Sequence, residues 1–370
     1  MGSVTRLYET SREQLADLLV GEPAYRLDQV WEGLYKRALR PAEMTDLPRE
    51  LRLRLEDALP PSLRVEATQT ADMGATVKWS WRLFDDAVVE TVLMLYKDRA
   101  TVCVSTQAGC AMACEFCATG QAGFTRNLSA GEILEQVTAA CSAARPRRLS
   151  NVVFMGMGEP MANYPRVWSA IERIQKDMGI SARRLTLSTV GIVPGIERLA
   201  TESLPVNLAV SLHAANDELR DRLVPINRRY PLEALARSCA RYVDRTGRRL
   251  SFEWALIDGV NDRGRDVAEL AAYCLPIGAH VNLIPLNPTP GYPVLGTPRE
   301  RVRKFRDLLV EAGVNATIRV TRGVEIDAAC GQLAAAAASK QGWSTSSAGS
   351  TSSGEETKSM TATLSAPASR

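Results

Sequence analysis

The sequence predicts an α/β protein: a partial (βα) barrel of about six parallel strands, preceded by a small helical domain and a β-hairpin extension. Short apolar runs recur at 99–105, 150–155, 184–189, 206–212, 250–257, 280–286 and 315–320, with helical segments between them. Repeated βα units make a parallel sheet, either a barrel or doubly wound. Six or seven units, and no G-x-G-x-x-G turn after the first strand, favour a full or partial barrel.

The elements follow in order. Ser11-x-x-Gln14 is a capping box ahead of the apolar LADLLV, which breaks at Gly21-Glu22-Pro23. Leu27, Val30, Trp31, Leu34 and Leu39 then recur near helical period, and a third helix over roughly 50–59 ends at Pro60-Pro61. Residues 1–61 therefore read as a helical accessory domain. Over 62–96, ATVKWSWRLF and AVVETVLMLY alternate and are rich in β-branched and aromatic residues; Asp85-Asp86 between them reads as the turn of a hairpin. The barrel occupies 97–338. Within it Ser129-x-x-Glu132 opens one helix as a capping box, and Thr297-Pro298-x-Glu300 opens another with proline at the first helical position. From 339 to 370 the chain is Ser/Thr/Gly-rich and reads as a disordered tail.

A chain of 370 residues with 45% hydrophobic content supports one large core and a small domain. Eight cysteines without a secretory leader point to a reducing cytoplasm and not to a disulfide scaffold. No run approaches the ~20 apolar residues that span a bilayer, so no membrane is expected. The net charge of +3 decides nothing about nucleic acid. Basic clusters occur at Lys36-Arg37 with Arg40, at Arg145 with Arg147-Arg148, at Arg183-Arg184, and at Arg220, Arg222, Arg228 and Arg229. Each alone reads as a solvated face; together they are compatible with a phosphate-binding surface.

The chemistry is concentrated in VCVSTQAGCAMACEFC, where Cys110, Cys114 and Cys117 form a C-x3-C-x2-C run. Three thiolates so spaced can hold three irons of a four-iron cluster and leave the fourth open to a small molecule. Zinc favours four protein ligands and paired knuckles, and no second knuckle exists; Cys103 as a fourth ligand keeps a zinc or closed-cluster site open. Sites in parallel βα architectures lie at strand C-termini. There stand Gly158 and Glu159 in GMGEP, Ser188 in LTLSTVG, Ser211, Leu212 and His213 in SLH, and Asn287 in NLIPLNPTPG. Singly, GMGEP reads equally as a turn, Ser188 and Asn287 as turn or cap residues, and a lone histidine such as His213 more often as a core residue. Converging beside the cysteines, they read as a cofactor cradle, with Glu159 accepting from an ammonium group and the polar side chains meeting a ribose and a carboxylate.

Six ordered stretches (CVSTQAGCAMACEFCATGQAGFTRNL, NVVFMGMGEPMANY, LSTVGIVPGI, LAVSLHAAND, LNPTPG and IDAACGQL) resemble the RlmN/Cfr family of radical S-adenosylmethionine RNA methyltransferases over about 23–333. The resemblance implies one [4Fe-4S] cluster on Cys110, Cys114 and Cys117. It implies two molecules of S-adenosylmethionine per turnover, one cleaved reductively at the cluster to a 5′-deoxyadenosyl radical. The other methylates Cys330. The radical takes a hydrogen from that S-methyl group, and the methylene radical adds to an adenine. Cys103 then attacks the Cys330 sulfur, forming a transient disulfide and freeing the methylated base. The family's proton acceptor falls on Glu90, which by its strand pattern alone reads as an exposed glutamate. Cys141, Cys239 and Cys274 read as buried small hydrophobes.

The implied substrate is C2 of an adenosine of 23S ribosomal RNA near the peptidyl-transferase centre, with an adenosine of a tRNA anticodon loop as a second. The helical module would dock the RNA by shape and phosphates. An electron donor such as a flavodoxin and a monomeric, cytoplasmic enzyme complete the expectation. A sister activity at C8, which confers antibiotic resistance, shares these motifs; the helical module and ordinary composition favour C2. A non-catalytic metal-bound RNA-binding protein, closed by Cys103, and a radical enzyme acting on a small metabolite are the remaining alternatives.

Overall fold

The computed structural model describes residues 5–289 and 291–334. The expected tail, 339–370, and the expected helical finish at 335–338 lie outside the described residues.

Three short helices come first: α1 (Arg12–Leu18), α2 (Tyr25–Tyr35) and α3 (Arg49–Ala58). The Ser11 capping box forms as expected, Ser11 Oγ accepting from the Gln14 N–H and Gln14 Oε1 from the Ser11 N–H. The apolar stripe of these helices (Leu15, Val30, Leu34, Leu51, Leu55) packs into the same continuous core as the sheet. Arg173 fixes the contact by donating to the Tyr8 carbonyl at 2.7 Å and to the Tyr35 hydroxyl.

The extension is a three-stranded antiparallel meander and not a simple hairpin: β1 (Leu63–Ala71), β2 (Thr76–Leu83) and β3 (Val88–Leu95). The turn at Asp85-Asp86 stands, with Asp86 in the left-handed region. β1 lacked a signal because its seven interior residues are all exposed. A strand with neither face in the core has no reason to alternate.

Next come β4 (Ala100–Cys103), the short β5 (Gln107–Gly109), α4 (Ala118–Gln121) and β6 (Phe124–Asn127). The remaining units are α5 (Ala130–Ala143), β7 (Leu149–Phe154), α6 (Tyr164–Lys176), β8 (Leu185–Thr189), α7 (Val193–Leu199), β9 (Asn207–Ser211), α8 (Asp217–Leu223), α9 (Leu232–Thr246), β10 (Ser251–Leu256), α10 (Gly264–Cys274), β11 (His280–Pro285), α11 (Arg299–Glu311) and β12 (Ala316–Ile318). The order β1-β2-β3-β4-β7-β8-β9-β10-β11-β12 runs without reversal, and β4 and β7 to β12 are parallel. A doubly wound sheet reverses its strand order at a switch point; here none exists, which leaves a partial barrel. It has seven parallel strands, one per apolar run, where about six were expected; the seventh, β12, is only three residues long.

One start signal is displaced. Pro298 is the extended N-cap of α11 and not its first helical residue, and Thr297 donates its hydroxyl to Asp262 Oδ2 at 2.8 Å instead of capping.

Candidate active site

The strand C-termini open onto one pocket. Its rim begins with the loop between β5 and β6. Cys110 is pinned there by its N–H, which donates to the Gly123 carbonyl at 2.7 Å, and Cys117 folds back onto the Cys114 carbonyl at 3.1 Å. Cys110 and Cys114 are buried and Cys117 half-buried. Burial pushes the Cys110 thiol up to about 12 and holds Cys114 well above its ordinary value, and the neighbouring Cys117 adds to both. Thiols crowded in a low-dielectric pocket resist becoming several thiolates at once; a bound cationic centre reverses this. Among the described residues no three metal-ligating side chains converge on a single ion, as a mononuclear zinc site needs. A polynuclear cluster takes one thiolate per iron, so its cysteines stand further apart. The donor set and its neutral, buried setting fit that larger group.

The opposite wall is built from β7, β8, β9 and β11. Gly156 and Gly158 follow β7 in tight quarters. A Cβ on Gly156 would meet the Val104 carbonyl at 2.7 Å, and one on Gly158, at φ +101°, would meet Gln107 at 2.5 Å. Glu159 is buried, its Oε1 accepting from the Met161 N–H (2.9 Å) and Oε2 from the Val190 N–H (2.8 Å). Burial raises its carboxyl to about 7 despite those two donors; an ammonium group beside it would supply the opposite charge that favours the carboxylate. Ser188 and Ser211 line the same pocket, as do His213 and Asn287. His213, also in the left-handed region, accepts at Nδ1 from the Ala255 N–H at 2.9 Å and lies edge-on to Phe116, ring centroids 4.7 Å apart. Burial lowers its pKa to about 3, so the ring is neutral. Leu212 does not line the pocket: its side chain is fully buried in the core and its N–H donates to the Glu253 carbonyl.

Arg220, read from sequence as part of a basic surface, is instead completely buried. Its guanidinium donates to the carbonyls of Leu212 (3.1 Å), Val190 (2.7 Å) and Ser211 (3.2 Å) and to Asn227 Oδ1 (2.8 Å). It ties the loops after β8 and β9 together beneath the pocket, a task suited to a rigid five-donor fork.

Cys330 lines this pocket and also a second cavity behind it. Cys103, at the end of β4, lines that second cavity, with Val92, Met94, Met155 and Arg319. More than two hundred residues of chain thus separate two thiols that share one chamber. Burial, and then the neighbouring Cys330, push Cys103 up to about 12. Arg319 lines both cavities, and the neighbouring Cys330, Glu253 and Cys103 hold its guanidinium firmly protonated. The segment bearing Cys330 is tethered on several sides. The Ala118 N–H donates to the Gly331 carbonyl at 2.8 Å, Thr119 Oγ1 to the Leu333 carbonyl, Gln332 Nε2 to the Pro288 carbonyl at 3.1 Å, and Asn287 Nδ2 to the Cys330 carbonyl at 3.1 Å. Upstream, Arg322 Nη1 donates to the Leu95 carbonyl and the Gly323 N–H to Asp72 Oδ2. The segment therefore bridges from β12 back to the antiparallel extension.

Glu90 is not an exposed strand glutamate. It is 3% exposed, because that face of the meander is covered by the same C-terminal segment. Its strand mates on that face, Val92 and Met94, are the ones that line the second cavity. The reading of the residues missed Arg319, Arg220 and Lys78, the last of which pairs with Glu90. An alternating strand offered no sign that its polar face would be covered. Cys239 and Cys274 are buried as expected, while Cys141 is only half-buried.

The three-cysteine loop and the pocket residues from Gly158 to His213 fall inside a matched region, with Glu90, Cys103, Asn287 and Cys330 outside it. Residues 104–271 match the model of the Radical SAM superfamily. A relative from Chloroflexus aurantiacus, named "Probable dual-specificity RNA methyltransferase RlmN", is 51% identical over 89% of this chain and 92% of its own length. One of the same name from Frankia alni is 52% identical over 89% of this chain and 82% of its own. A crystal structure of a radical SAM methyltransferase from Sphaerobacter thermophilus superposes with a TM-score of 0.85 at 48% identity, over 90% of this chain and 99% of that one. The chain belongs to the RlmN family of radical S-adenosylmethionine RNA methyltransferases.

Proposed function

We propose that this chain methylates C2 of an adenosine in 23S ribosomal RNA near the peptidyl-transferase centre, and an adenosine in a tRNA anticodon loop, through a methylated Cys330. The observation that carries the reading is the shared chamber: Cys330 faces both the pocket of the three-cysteine loop and the cavity of Cys103. A thiol so placed can meet a cofactor on one side and a second thiol on the other. The names of the relatives support an RNA substrate of two kinds.

In this reading Cys110, Cys114 and Cys117 hold a four-iron cluster, with Gly158, Glu159, Ser188, Ser211, His213 and Asn287 around S-adenosylmethionine, while Leu212, buried in the core, only holds its neighbours in place. Once bound, these groups supply the one-electron cleavage that starts radical chemistry at an otherwise unreactive ring carbon. Glu159 receives the ammonium group. Neutral His213, held by the Ala255 N–H, offers a ring face and edge without adding a charge. Cys330 carries the methyl group to the base. Arg319 offsets the charge of whichever thiol ionises. Cys103 displaces the product by attacking the Cys330 sulfur: the S–S bond forms, the S–C bond breaks, and the released carbon keeps the bonding pair and takes a proton to become the methyl group. Glu90 removes the ring proton. Among the described residues no helix is long and apolar enough to cross a membrane, and the reading places the enzyme in the cytoplasm with a flavodoxin-type donor.

Nucleoside mass spectrometry of ribosomal and transfer RNA, from cells with and without the gene, tests this. The expected result is 2-methyladenosine that disappears with the gene. Finding 8-methyladenosine, or no change in either RNA, overturns it.

A further inference from the structure

Lys78 and Glu90 form a buried ion pair inside the antiparallel meander. The Lys78 ammonium lies 3.3 Å from Glu90 Oε1, and the two side chains are 6% and 4% exposed. Register explains the contact: Ser80 is directly opposite Glu90 and Lys78 opposite Val92, so Lys78 is the diagonal neighbour on the same face. Ser80 Oγ also donates to Oε1, at 3.2 Å. Both side-chain partners therefore hold one oxygen, while Oε2 is buried and takes no side-chain hydrogen bond among the described residues, the Ala334 main chain being the carboxylate's one further polar neighbour. Lys78 further donates to the Asp327 carbonyl at 3.4 Å, three residues before Cys330.

Such a pair is a poor device for stability. Desolvating two charges costs about as much as their attraction returns, and apolar replacements are often neutral or better. An unpartnered carboxylate oxygen adds to that cost. Buried charge with one oxygen left free is what a base requires.

We propose that Lys78 is the positioning residue for proton removal: it fixes Glu90 through Oε1, leaves Oε2 for the ring proton, and locks this carboxylate to the segment that carries Cys330. The inference rests on the methyl-transfer reading above. In the step concerned, once the adduct has passed its unpaired electron to a one-electron acceptor, the C–H bond at the alkylated ring carbon breaks, the proton forms an O–H bond at Glu90 Oε2, and the bonding pair stays in the ring. The groups facing Glu90 are few. Lys78 and Ser80 come from β2, the Ala334 main chain from the covering segment, and Ser105 Oγ donates to the Glu90 carbonyl at 2.6 Å. Burial raises the Glu90 carboxyl and Lys78 is the largest opposing influence. Without the ammonium the carboxyl stays protonated to higher pH.

The test compares Lys78→Met with wild-type holoenzyme on substrate RNA from pH 6.5 to 8.5. Expected are 5′-deoxyadenosine formation within about twofold of wild type and methylated product down on the order of 10²-fold at pH 7. A covalent protein–RNA species should build up on denaturing gels. Product should recover as pH rises, over a range in which wild type is flat. In the metal-free protein, the melting temperature of Lys78→Met relative to wild type should fall as pH rises, because the unpaired carboxylate must then ionise. Lys78→Gln, which keeps a donor to Glu90, serves where Lys78→Met does not fold, with the same pH signature. Equal losses of 5′-deoxyadenosine and product at every pH, with no covalent species, overturn the proposal. Failure of the underlying reading looks different: wild type leaves Cys330 without a methyl group.

Discussion

The side-chain amide of Asn287 donates from Nδ2 to the main-chain carbonyl of Cys330 at 3.1 Å. A residue lining the pocket thus also fixes the backbone of the cysteine proposed to carry the methyl group. Asn287→Asp keeps the shape and removes the donor. One such hydrogen bond is worth about 1 kcal/mol, roughly fivefold in an opening equilibrium. The variant should react about fivefold faster at Cys330 with iodoacetamide, followed by peptide mass spectrometry, and should bind S-adenosylmethionine more weakly.

The shared chamber separates the roles of its two thiols. Cys330→Ala should abolish RNA methylation while cluster assembly and uncoupled release of 5′-deoxyadenosine persist. Cys103→Ala should leave RNA covalently attached, seen as a band that survives denaturation and disappears with ribonuclease. Normal turnover by Cys103→Ala would falsify the thioether scheme.

Replacing any one of Cys110, Cys114 or Cys117 by alanine should have a different signature. Iron content after anaerobic reconstitution should drop, the brown colour should be lost, and no 5′-deoxyadenosine should form. The fold should hold, because alanine keeps the main-chain ties of the loop, from the Cys110 N–H to the Gly123 carbonyl and from the Cys117 N–H to the Cys114 carbonyl.

Arg220 offers a stability test. Methionine at this position fills the space but leaves three main-chain carbonyls and the Asn227 side chain without their donor. Unsatisfied buried acceptors cost about 1–3 kcal/mol each, partly relieved by relaxation. Arg220→Met should lose about 3 kcal/mol or more in urea unfolding. Arg220→Lys should not rescue it, since one ammonium cannot reach all four acceptors.

Glu135 predicts a pH dependence of stability. It is buried, accepts from the N–H groups of Ser62 (2.8 Å) and Leu63 (3.3 Å), and burial raises its carboxyl to about 7. The folded value lies above the ordinary 4.5, so the folded state binds this proton more tightly. The resulting stabilisation is full below pH 4.5 and is lost as pH rises through 7. Glu135→Gln should therefore gain relative to wild type between pH 6 and 8, as read by thermal melts across that range.

What the sequence disclosed follows from which signals are local. The seven parallel strands were legible because each is an apolar run, and the Ser11 and Ser129 capping boxes because their residues lie three apart. β1 was not, since an exposed edge strand carries no alternation. The burial of Glu90 was hidden because its cover comes from residues about 240 positions later. Arg220 looked like its neighbours Arg222 and Arg228; only the fold sets four acceptors around it. That Cys103 and Cys330 belong together came from family resemblance alone, and their common chamber gives it a physical basis.

The bridge from β12 to the antiparallel extension has a consequence for how the enzyme is made. Its tethers join Asp72, Lys78 and Leu95 to residues beyond 320, so the catalytic chamber cannot exist until nearly all of the described chain has emerged. Contacts of such sequence separation form late and slowly. A nascent or truncated copy would own the cysteine loop and the pocket walls yet lack Cys330. On the proposed scheme the chain acquires reactivity toward RNA only at the final step of its own assembly.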